Sequence, residues 1–377
     1  MNLRFMDTPV SFFTNHSPSE EELAYWLEPG SVEKDRQLFD RAYAAKIEHP
    51  GPRLHLRFLL EVSNVCSRDC LYCGVRRSNR EIERYSLQPE VAMEVLRRAK
   101  SRGYRNIVLQ AGERSDKTFT RAVTRLVEQL RREGGEDFRI VLSLGEQPAV
   151  TYRDWKQAGA DRYLLRIETS NPKLYSKIHP PGSAYTLGAR LRSLEALREA
   201  GFQTGTGVMI GLPFQTLRDL AADLLFFKAW EVDMVGMGPY LEHHATPLFA
   251  YRHQLLTVKE RYLLSLRMIA LLRCLMPDIN IVASTALQSV GLPDTEPLRD
   301  ALMAGANVMM LNVTPESCQK AYSLYENKFT PGPDSDNYLV DLARQLNTWG
   351  EEIALEDPGD PLHYLKTKNT ILKKSLK

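Results

Sequence analysis

Residues 54–77 read LHLRFLLEVSNVCSRDCLYCGVRR, an apolar run of strand type that leads directly into a compact group of three cysteines. The run is short and dominated by apolar side chains, as expected of a buried strand. Cys66, Cys70 and Cys73 follow it with the spacing Cys-x3-Cys-x2-Cys. Functional side chains of β/α barrels gather at the C-terminal ends of the strands. The stretch therefore predicts a strand whose C-terminal end carries a metal site.

Further apolar runs alternate along the chain with longer amphipathic stretches, which is typical of an α/β fold with a parallel sheet. Eight such units within about 260 residues match a closed (β/α)8 TIM-type barrel. An open doubly wound sheet and an incomplete barrel are the competing architectures. The eight runs are LHLRFLLEVS, NIVLQAG, RIVLSLG, DRYLLRIET, QTGTGVMIGL, MVGMGP, NIVASTA and NVMMLN.

The regions on either side of the barrel have their own patterns. Residues 1–50 are predicted to form an N-terminal helical extension, in which Ser17 caps the helix that contains EEELAYWL. The barrel is assigned to residues 51–328. Residues 329–377 are predicted to form a closing helix, NYLVDLARQLNTWGEEI, followed by a loosely held tail that contains several lysines.

Composition excludes several functional classes. Lys and Arg number 49 against 47 Asp and Glu, a net charge of +2, so no charge asymmetry points to nucleic acid. No apolar run approaches the ~20 residues that cross a bilayer, and the N-terminus has no signal pattern. A cytoplasmic protein is expected. Three of the five cysteines lie within eight residues, which indicates metal ligation, and Cys274 and Cys318 are isolated helical thiols that we expect to be buried.

Three cysteines suit a [4Fe–4S] cluster with one iron left open, because cysteine thiolates normally bind all four irons. The open iron can chelate the amino and carboxylate groups of S-adenosylmethionine (SAM), whose reductive cleavage releases a 5′-deoxyadenosyl radical. This spacing resembles the radical SAM signature, in which an aromatic residue such as Tyr72 borders the cluster and the adenine. The alternative is a zinc site completed by His243, His244 or another distant residue, although zinc sites usually contain paired CxxC elements.

Later strand ends carry groups that suit SAM. Arg166 and Glu168 are two residues apart and project from one face, and Arg190 could pair with the SAM carboxylate. The alternative for Arg166 and Glu168 is a structural ion pair. The predicted SAM-binding residues are Tyr72, Gly112, Glu113, Ser143, Glu168, Arg190 and Met209.

The strings SNVCSRDCLYCGVRR, IVLQAGE, LSLGEQP, AGADRYLLRIETSNP, GVMIGLPFQT, DMVGMGPY and GANVMMLNVTP together resemble the HydE family, the radical SAM maturases of [FeFe]-hydrogenase. The resemblance implies action on an organometallic iron–carbonyl–cyanide–cysteine precursor of the hydrogenase H-cluster. It also implies an inner pocket. The pocket residues that the resemblance implies are Arg57, Arg166, Ser284, Thr285, Met310, Tyr322 and Tyr325.

Other interpretations remain for several of these residues. Tyr322 and Tyr325 could pack on a helix at i, i+3, and Met310 could be a core strand residue. Arg57 would need a partner to offset its desolvation inside a barrel. The chain also departs from the family string QSGED, since it has Ala111 and Arg114 at the corresponding positions.

Two further functional hypotheses stand beside the maturase. One is a radical SAM enzyme with a different substrate, such as an amino-acid mutase similar to 3-methylornithine synthase. The arginine, serine and threonine set in the pocket favours an anion over an amino acid. The other is a non-catalytic metal-binding barrel. The expected partners are a small-molecule or organometallic substrate, an electron donor such as a ferredoxin or flavodoxin, and other hydrogenase maturases.

Overall fold

The computed structural model describes residues 18–182, 185–328 and 336–367. Two helices precede the sheet, α1 (Glu20–Leu27) and α2 (Val32–Glu48). Ser19 caps α1 and forms a capping box with Glu22, so the helix begins two residues later than predicted. The predicted cap, Ser17, lies outside the described residues.

Parallel strands form the centre of the described chain. They are β1 (Arg53–Ser63), β2 (Asn106–Ala111), β3 (Arg139–Ser143), β4 (Arg162–Leu164), β5 (Gln203–Thr206), β6 (Met209–Ile210), β7 (Met234–Pro239), β8 (Asn280–Ala283) and β9 (Val308–Asn312). Pairing runs β1-β2-β3-β4-β5-β7-β8-β9, and β9 pairs with β1, while β6 pairs only with the end of β7. In the described residues, eight strands thus close a parallel barrel, which confirms the prediction and excludes the open sheet.

Helices surround the barrel, and the amphipathic stretches supply most of them. Within the described residues they are α3 (Pro89–Ser101), α4 (Lys117–Gly134), α5 (Ala149–Gln157), α6 (Pro172–Ile178), α7 (Leu187–Glu199), α8 (Leu217–Ala229), α9 (Val258–Leu275), α10 (Thr285–Gln288), α11 (Pro297–Met303), α12 (Glu316–Gln319) and α13 (Asp336–Thr348). A 3-10 helix covers Pro247–Gln254. Helix α1 packs against α8, and α2 packs against α9. None of the described helices has the length and apolarity that crossing a bilayer requires.

Two predicted strands are shorter than their apolar runs. The fourth run extends to residue 169, but β4 ends at Leu164. The backbone leaves the ladder there and reaches Glu168 in the left-handed region, with φ of 64°. The fifth run is divided into β5 and β6. Both changes occur where backbone leaves the barrel wall to border the mouth.

The C-terminal segment differs from the prediction of a helix through Ile353 and a loose tail. Helix α13 ends at Thr348, and β10 (Glu352–Ile353) pairs in parallel with the start of β1. Asp360 then accepts hydrogen bonds from Arg139 at 2.7 Å and from Arg162 at 2.6 Å. The described part of this segment therefore covers the N-terminal end of the barrel, opposite the cysteines. The final part of the predicted tail, residues 368–377, lies outside the described residues.

Candidate active site

A cavity of about 290 Å³ opens at the C-terminal ends of the barrel strands. It brings together residues that are distant in the chain, including all the predicted site residues except Arg57. Their individual roles stay predictions. The predicted residues on its wall are Cys66, Cys70, Cys73, Tyr72, Gly112, Glu113, Ser143, Arg166, Glu168, Arg190, Met209, Ser284, Thr285, Met310, Tyr322 and Tyr325.

Arg57 lies one layer below the cavity, deeper in the barrel. Side chains alternate along a strand, so Arg57, Leu59 and Glu61 share the inner face of β1. Of these three, Leu59 and Glu61 line the cavity. Arg57 is 1% exposed and its guanidinium contacts the sulfur of Met234, while its Nε and Nη2 have no hydrogen-bond partner within the described part of the chain. The place of Arg57 in the inner pocket stays a prediction, because alternation along β1 gives the face of a side chain but not its depth.

The cysteine loop is held against the end of β2. The sulfur of Cys66 accepts hydrogen bonds from the backbone N–H groups of Arg68, at 3.4 Å, and Glu113, at 3.3 Å. A Cβ atom on Gly112 would lie 2.5 Å from the carbonyl oxygen of Val65 and 2.8 Å from Cβ of Cys66. Glycine is required at this position because any side chain would push the loop away.

Four charged side chains form a network beside the cysteines. Arg68 pairs with Glu113 and, at 3.3 Å, with Glu146. Arg190 pairs with Glu146 at 2.6 Å and donates to the carbonyl oxygen of Arg166 at 2.9 Å. Arg190 therefore already has a carboxylate partner in the protein, which the sequence did not indicate.

Glu168 is held at the mouth with one carboxylate oxygen unpaired. Its Oε1 lies 3.4 Å from Nε of Arg166 and accepts a hydrogen bond from the Tyr72 hydroxyl at 3.3 Å. Its Oε2 is buried and has no partner among the described residues. The backbone oxygen of Glu168 accepts from the N–H of Met209 at 3.1 Å, so one turn orients both predicted SAM-binding residues. Because buried polar groups are normally hydrogen-bonded, this oxygen is a candidate to accept a hydrogen bond from a ligand.

The opposite wall carries hydroxyl groups. Ser284 caps α10, and a Cβ on Gly238 would lie 2.1 Å from its Oγ, so glycine allows this close approach. Tyr322 accepts a hydrogen bond from Gln110 at 3.3 Å. Tyr322 and Tyr325 follow α12 in a segment without helix, so the alternative of helix packing at i, i+3 is wrong.

Comparisons with known proteins agree with this geometry. The family model described as the radical SAM superfamily matches residues 60–227. The chain is 42% identical over 291 residues to the [FeFe] hydrogenase maturase subunit HydE of Thermotoga maritima, which covers 77% of this chain and 79% of that protein. The chain belongs to the HydE family of radical SAM enzymes.

Other relatives of this HydE-family enzyme are more distant. It is 25% identical over 337 residues to 3-methylornithine synthase of Methanosarcina acetivorans, covering 89% of this chain and 90% of that one. A crystal structure of methylornithine synthase (PylB) superposes with a TM-score of 0.76 at 22% identity, covering 92% and 97% of the two chains. The likeness to PylB shows the fold alone.

The radical SAM family implies a [4Fe–4S] cluster and SAM, and the residues present fit both. Burial raises the pKa of Cys66, Cys70 and Cys73, that of Cys70 to about 12, so the thiols need a bound cation to become thiolates. In the described residues, no three His, Cys, Asp or Glu side chains converge on one point as a single ion requires. The single Cys-x3-Cys-x2-Cys element lacks the paired CxxC elements that zinc sites usually contain, so its spacing agrees better with three thiolate ligands of a cluster.

The sequence did not single out three charged residues of the cavity wall in this HydE-family enzyme, which are Glu61, Arg68 and Lys328. Glu61 and Lys328 form an ion pair, and Glu61 also accepts from Asn312 at 3.2 Å. Lys328 donates to the backbone oxygen of Tyr322 at 3.2 Å. The two-residue period of β1 could have identified Glu61. Lys328 had no comparable signal, because it lies 267 residues away in an irregular segment.

Proposed function

We propose that this enzyme cleaves SAM reductively and acts on an organometallic iron–carbonyl–cyanide–cysteine precursor during assembly of the [FeFe]-hydrogenase H-cluster. The observation that carries the proposal is the convergence on one cavity of three cysteines and of Glu168, whose Oε2 has no partner among the described residues. The 42% identity to a hydrogenase maturase supports the choice of substrate.

The proposed roles follow from the contacts of each side chain. Cys66, Cys70 and Cys73 would hold the cluster, which supplies the electron that cleaves the C–S bond of SAM and releases the 5′-deoxyadenosyl radical. The unpaired oxygen of Glu168 would accept a hydrogen bond from SAM. Gly112 would act by letting the cysteine loop lie against the end of β2, where the cluster and SAM are to bind.

The opposite wall would bind the substrate. Ser284, Thr285, Tyr322 and Tyr325 supply hydroxyl donors on that side, and the apolar side chain of Met310 packs with Leu59 and Val108 at the floor of the cavity. Few waters fit beside a substrate in a cavity of this size, which would protect the radical from side reactions. A ferredoxin or flavodoxin would supply the electron, and other hydrogenase maturases would supply or receive the organometallic species.

A second candidate is a radical SAM enzyme that acts on a free amino acid, similar to 3-methylornithine synthase. The Glu61–Lys328 pair favours it, because an amino-acid substrate needs one carboxylate and one ammonium group in the pocket.

Anaerobic reconstitution tests the cofactor assignment. We expect about four irons per chain, the content of one cluster, and 5′-deoxyadenosine from SAM under reduction. Cys70→Ala should lose both, while Cys318→Ala, on the half-buried α12 outside the cavity wall, should keep both. Bound zinc without SAM cleavage would exclude the radical SAM activity.

Hydrogenase activation separates the two substrates. Co-expression with the other maturases and an apo-hydrogenase should yield active hydrogenase only with this protein present. A mutase would instead leave the hydrogenase inactive and transfer deuterium from a labelled amino acid into 5′-deoxyadenosine.

A further inference from the structure

A buried carboxylate behind the cavity has no part in the chemistry above. Asp223 lies on α8 and is fully buried. Its Oδ1 accepts two hydrogen bonds of 2.6 Å from Ser170, one from the backbone N–H and one from the hydroxyl. Its Oδ2 is buried without a partner among the described residues. Among the described residues, the Asp223 carboxylate thus accepts its hydrogen bonds from Ser170.

Ser170 belongs to the turn that carries Glu168. Glu168 has φ of 64°, a conformation that costs free energy for a residue with a side chain. Two backbone hydrogen bonds to the neighbouring strand segment support it, from Glu168 N–H to Gly207 at 3.0 Å and from Met209 N–H to Glu168 at 3.1 Å. The bonds from Ser170 to Asp223 fix the other side of the same turn.

The turn also leads into α6, which borders the cysteine loop. Asn171 caps α6 through hydrogen bonds from the N–H groups of Lys173 and Leu174. The carbonyl oxygen of Ile178, at the end of α6, accepts from the N–H of Leu71 at 3.0 Å. A displacement of Ser170 would therefore shift both Glu168 and the cysteine loop.

Stability alone does not explain a carboxylate at this position. None of the contacts that the described residues make with Asp223 comes from a cation, and burying an uncompensated charge is costly. Burial raises the pKa of Asp223 to about 7, although the hydrogen bonds from Ser170 oppose this rise. The two hydrogen bonds from Ser170 are short, at 2.6 Å, which suits a group that must hold a strained turn.

We propose that Asp223 is a positioning residue for SAM binding, which holds Ser170 and thereby keeps Glu168 in its strained conformation at the cavity wall. The inference rests on the proposed binding of SAM. It assigns a role to a residue that does not line the cavity.

The test measures the dissociation constant of SAM and the melting temperature for the full-length, anaerobically reconstituted protein. Asp223→Ala should weaken SAM binding on the order of tenfold, the loss expected for one or two hydrogen bonds. Asp223→Asn keeps an acceptor oxygen for Ser170 and should retain most of the affinity.

Asp233→Ala is the matched control. Asp233 is also a buried carboxylate that accepts a backbone N–H, from Thr204 at 2.8 Å, and burial raises its pKa to about 6. It lies before β7, at the end of the barrel away from the cysteines. This variant should lose thermal stability but bind SAM within twofold of the wild type.

A double-mutant cycle shows whether Asp223 acts through Glu168. Glu168→Ala should weaken SAM binding, and adding Asp223→Ala should cause no further loss. An undiminished second loss, or Asp223→Ala binding SAM as the wild type does, would overturn the proposal.

Two further outcomes are also decisive. If Asp223→Ala does not fold, Ser170→Ala replaces it; this variant loses the hydroxyl hydrogen bond but keeps the one from the backbone N–H, so it should weaken SAM binding severalfold, and unchanged affinity would refute the inference. A wild-type protein that binds no SAM would overturn the proposed function itself.

Discussion

At the scale of single residues, the cavity wall depends on a few close approaches and buried charges. The Glu61 carboxylate has no exposed surface, and Lys328 is 10% exposed. Burial raises the pKa of Glu61, and the charge of Lys328 opposes that rise. The pair therefore consists of two groups that each depend on the other for compensation.

Removal of one partner should destabilise the fold strongly. Lys328→Met leaves Glu61 buried and unpaired, and we expect a loss of about 3–5 kcal/mol in the free energy of unfolding, measured by denaturant titration. The double variant with Glu61→Gln should recover much of it. Lys366→Met is the control, since this lysine is 65% exposed in its pair with Asp278 and should cost less than about 1 kcal/mol. Equal losses in the two single variants would contradict the buried pair.

Gly112 should be needed for the cluster rather than for the fold. Gly112→Ala places a Cβ against Val65 and Cys66, so we expect iron content after reconstitution to fall severalfold while the circular dichroism spectrum is unchanged. Gly188→Ala, on α7 with 3.6 Å to the nearest atom, should keep the iron content. Full iron loading in the Gly112 variant would show that the loop has room to shift.

At the scale of elements, the C-terminal segment packs over the N-terminal end of the barrel and covers it. β10 extends the sheet beside β1, and Asp360 joins β3, β4 and β5 through Arg139, Arg162 and Gln203. A carboxylate among these side chains offsets the charge of two arginines at the narrow end of the barrel. The cover and the mouth therefore lie at opposite ends of the same strands.

Asp360 should contribute stability that depends on pH. Burial alone would raise its pKa, but hydrogen bonds from Arg139 and the charge of Arg162 hold it well below the ordinary value of 3.8. Because the folded pKa is depressed, the contribution is fully present above about pH 4 and is lost as the pH falls further. Asp360→Asn should therefore lower the unfolding free energy by about 2 kcal/mol at pH 7 and by less at pH 3.

Thermal unfolding over this pH range checks the prediction. Asp341→Asn is a suitable control, because the side chain is 63% exposed and its ion pair among the described residues is with Arg344 on the same helix, so it should change little at any pH. If the free energy of unfolding of Asp360→Asn differed from that of the wild type by the same amount at pH 7 and at pH 3, this would contradict the depressed pKa of Asp360.

At the scale of the whole molecule, a closed barrel supports a mouth built from separate loops. Gly74, beside Cys73, donates to the carbonyl oxygen of Leu324 at 2.9 Å, and Asn64 donates to that of Ala321 at 2.7 Å. The opposite, N-terminal end of the barrel is stabilised separately, by a buried ion pair of Lys46 with Glu351 at 2.6 Å. Ligands at the mouth should therefore order the mouth without changing the floor.

Hydrogen exchange can measure this difference. On reconstitution with iron, sulfide and SAM, we expect amide protection to rise in residues 64–80 and 321–328 and to stay unchanged in residues 351–360. Equal changes at both ends would mean that the barrel responds as one unit.

The sequence by itself determined the features that depend on local pattern. Alternation of apolar runs and amphipathic stretches predicted the closed barrel, because parallel strands joined by helices have few alternatives. The spacing of Cys66, Cys70 and Cys73 predicted a three-thiol site, since these ligands lie within eight residues. Glu113, Glu168 and Ser284 line one cavity because they follow the C-terminal ends of barrel strands, which lie together at the mouth.

Only the tertiary structure decided the depth and the partners of the charged groups. Alternation along β1 placed Arg57 and Glu61 on one face, but the stagger of the barrel strands set which of them meets the cavity. Lys328, Asp223 and Asp360 each act on residues more than fifty positions away. Such pairings have no local signal, because burial and charge compensation arise only when distant segments pack together.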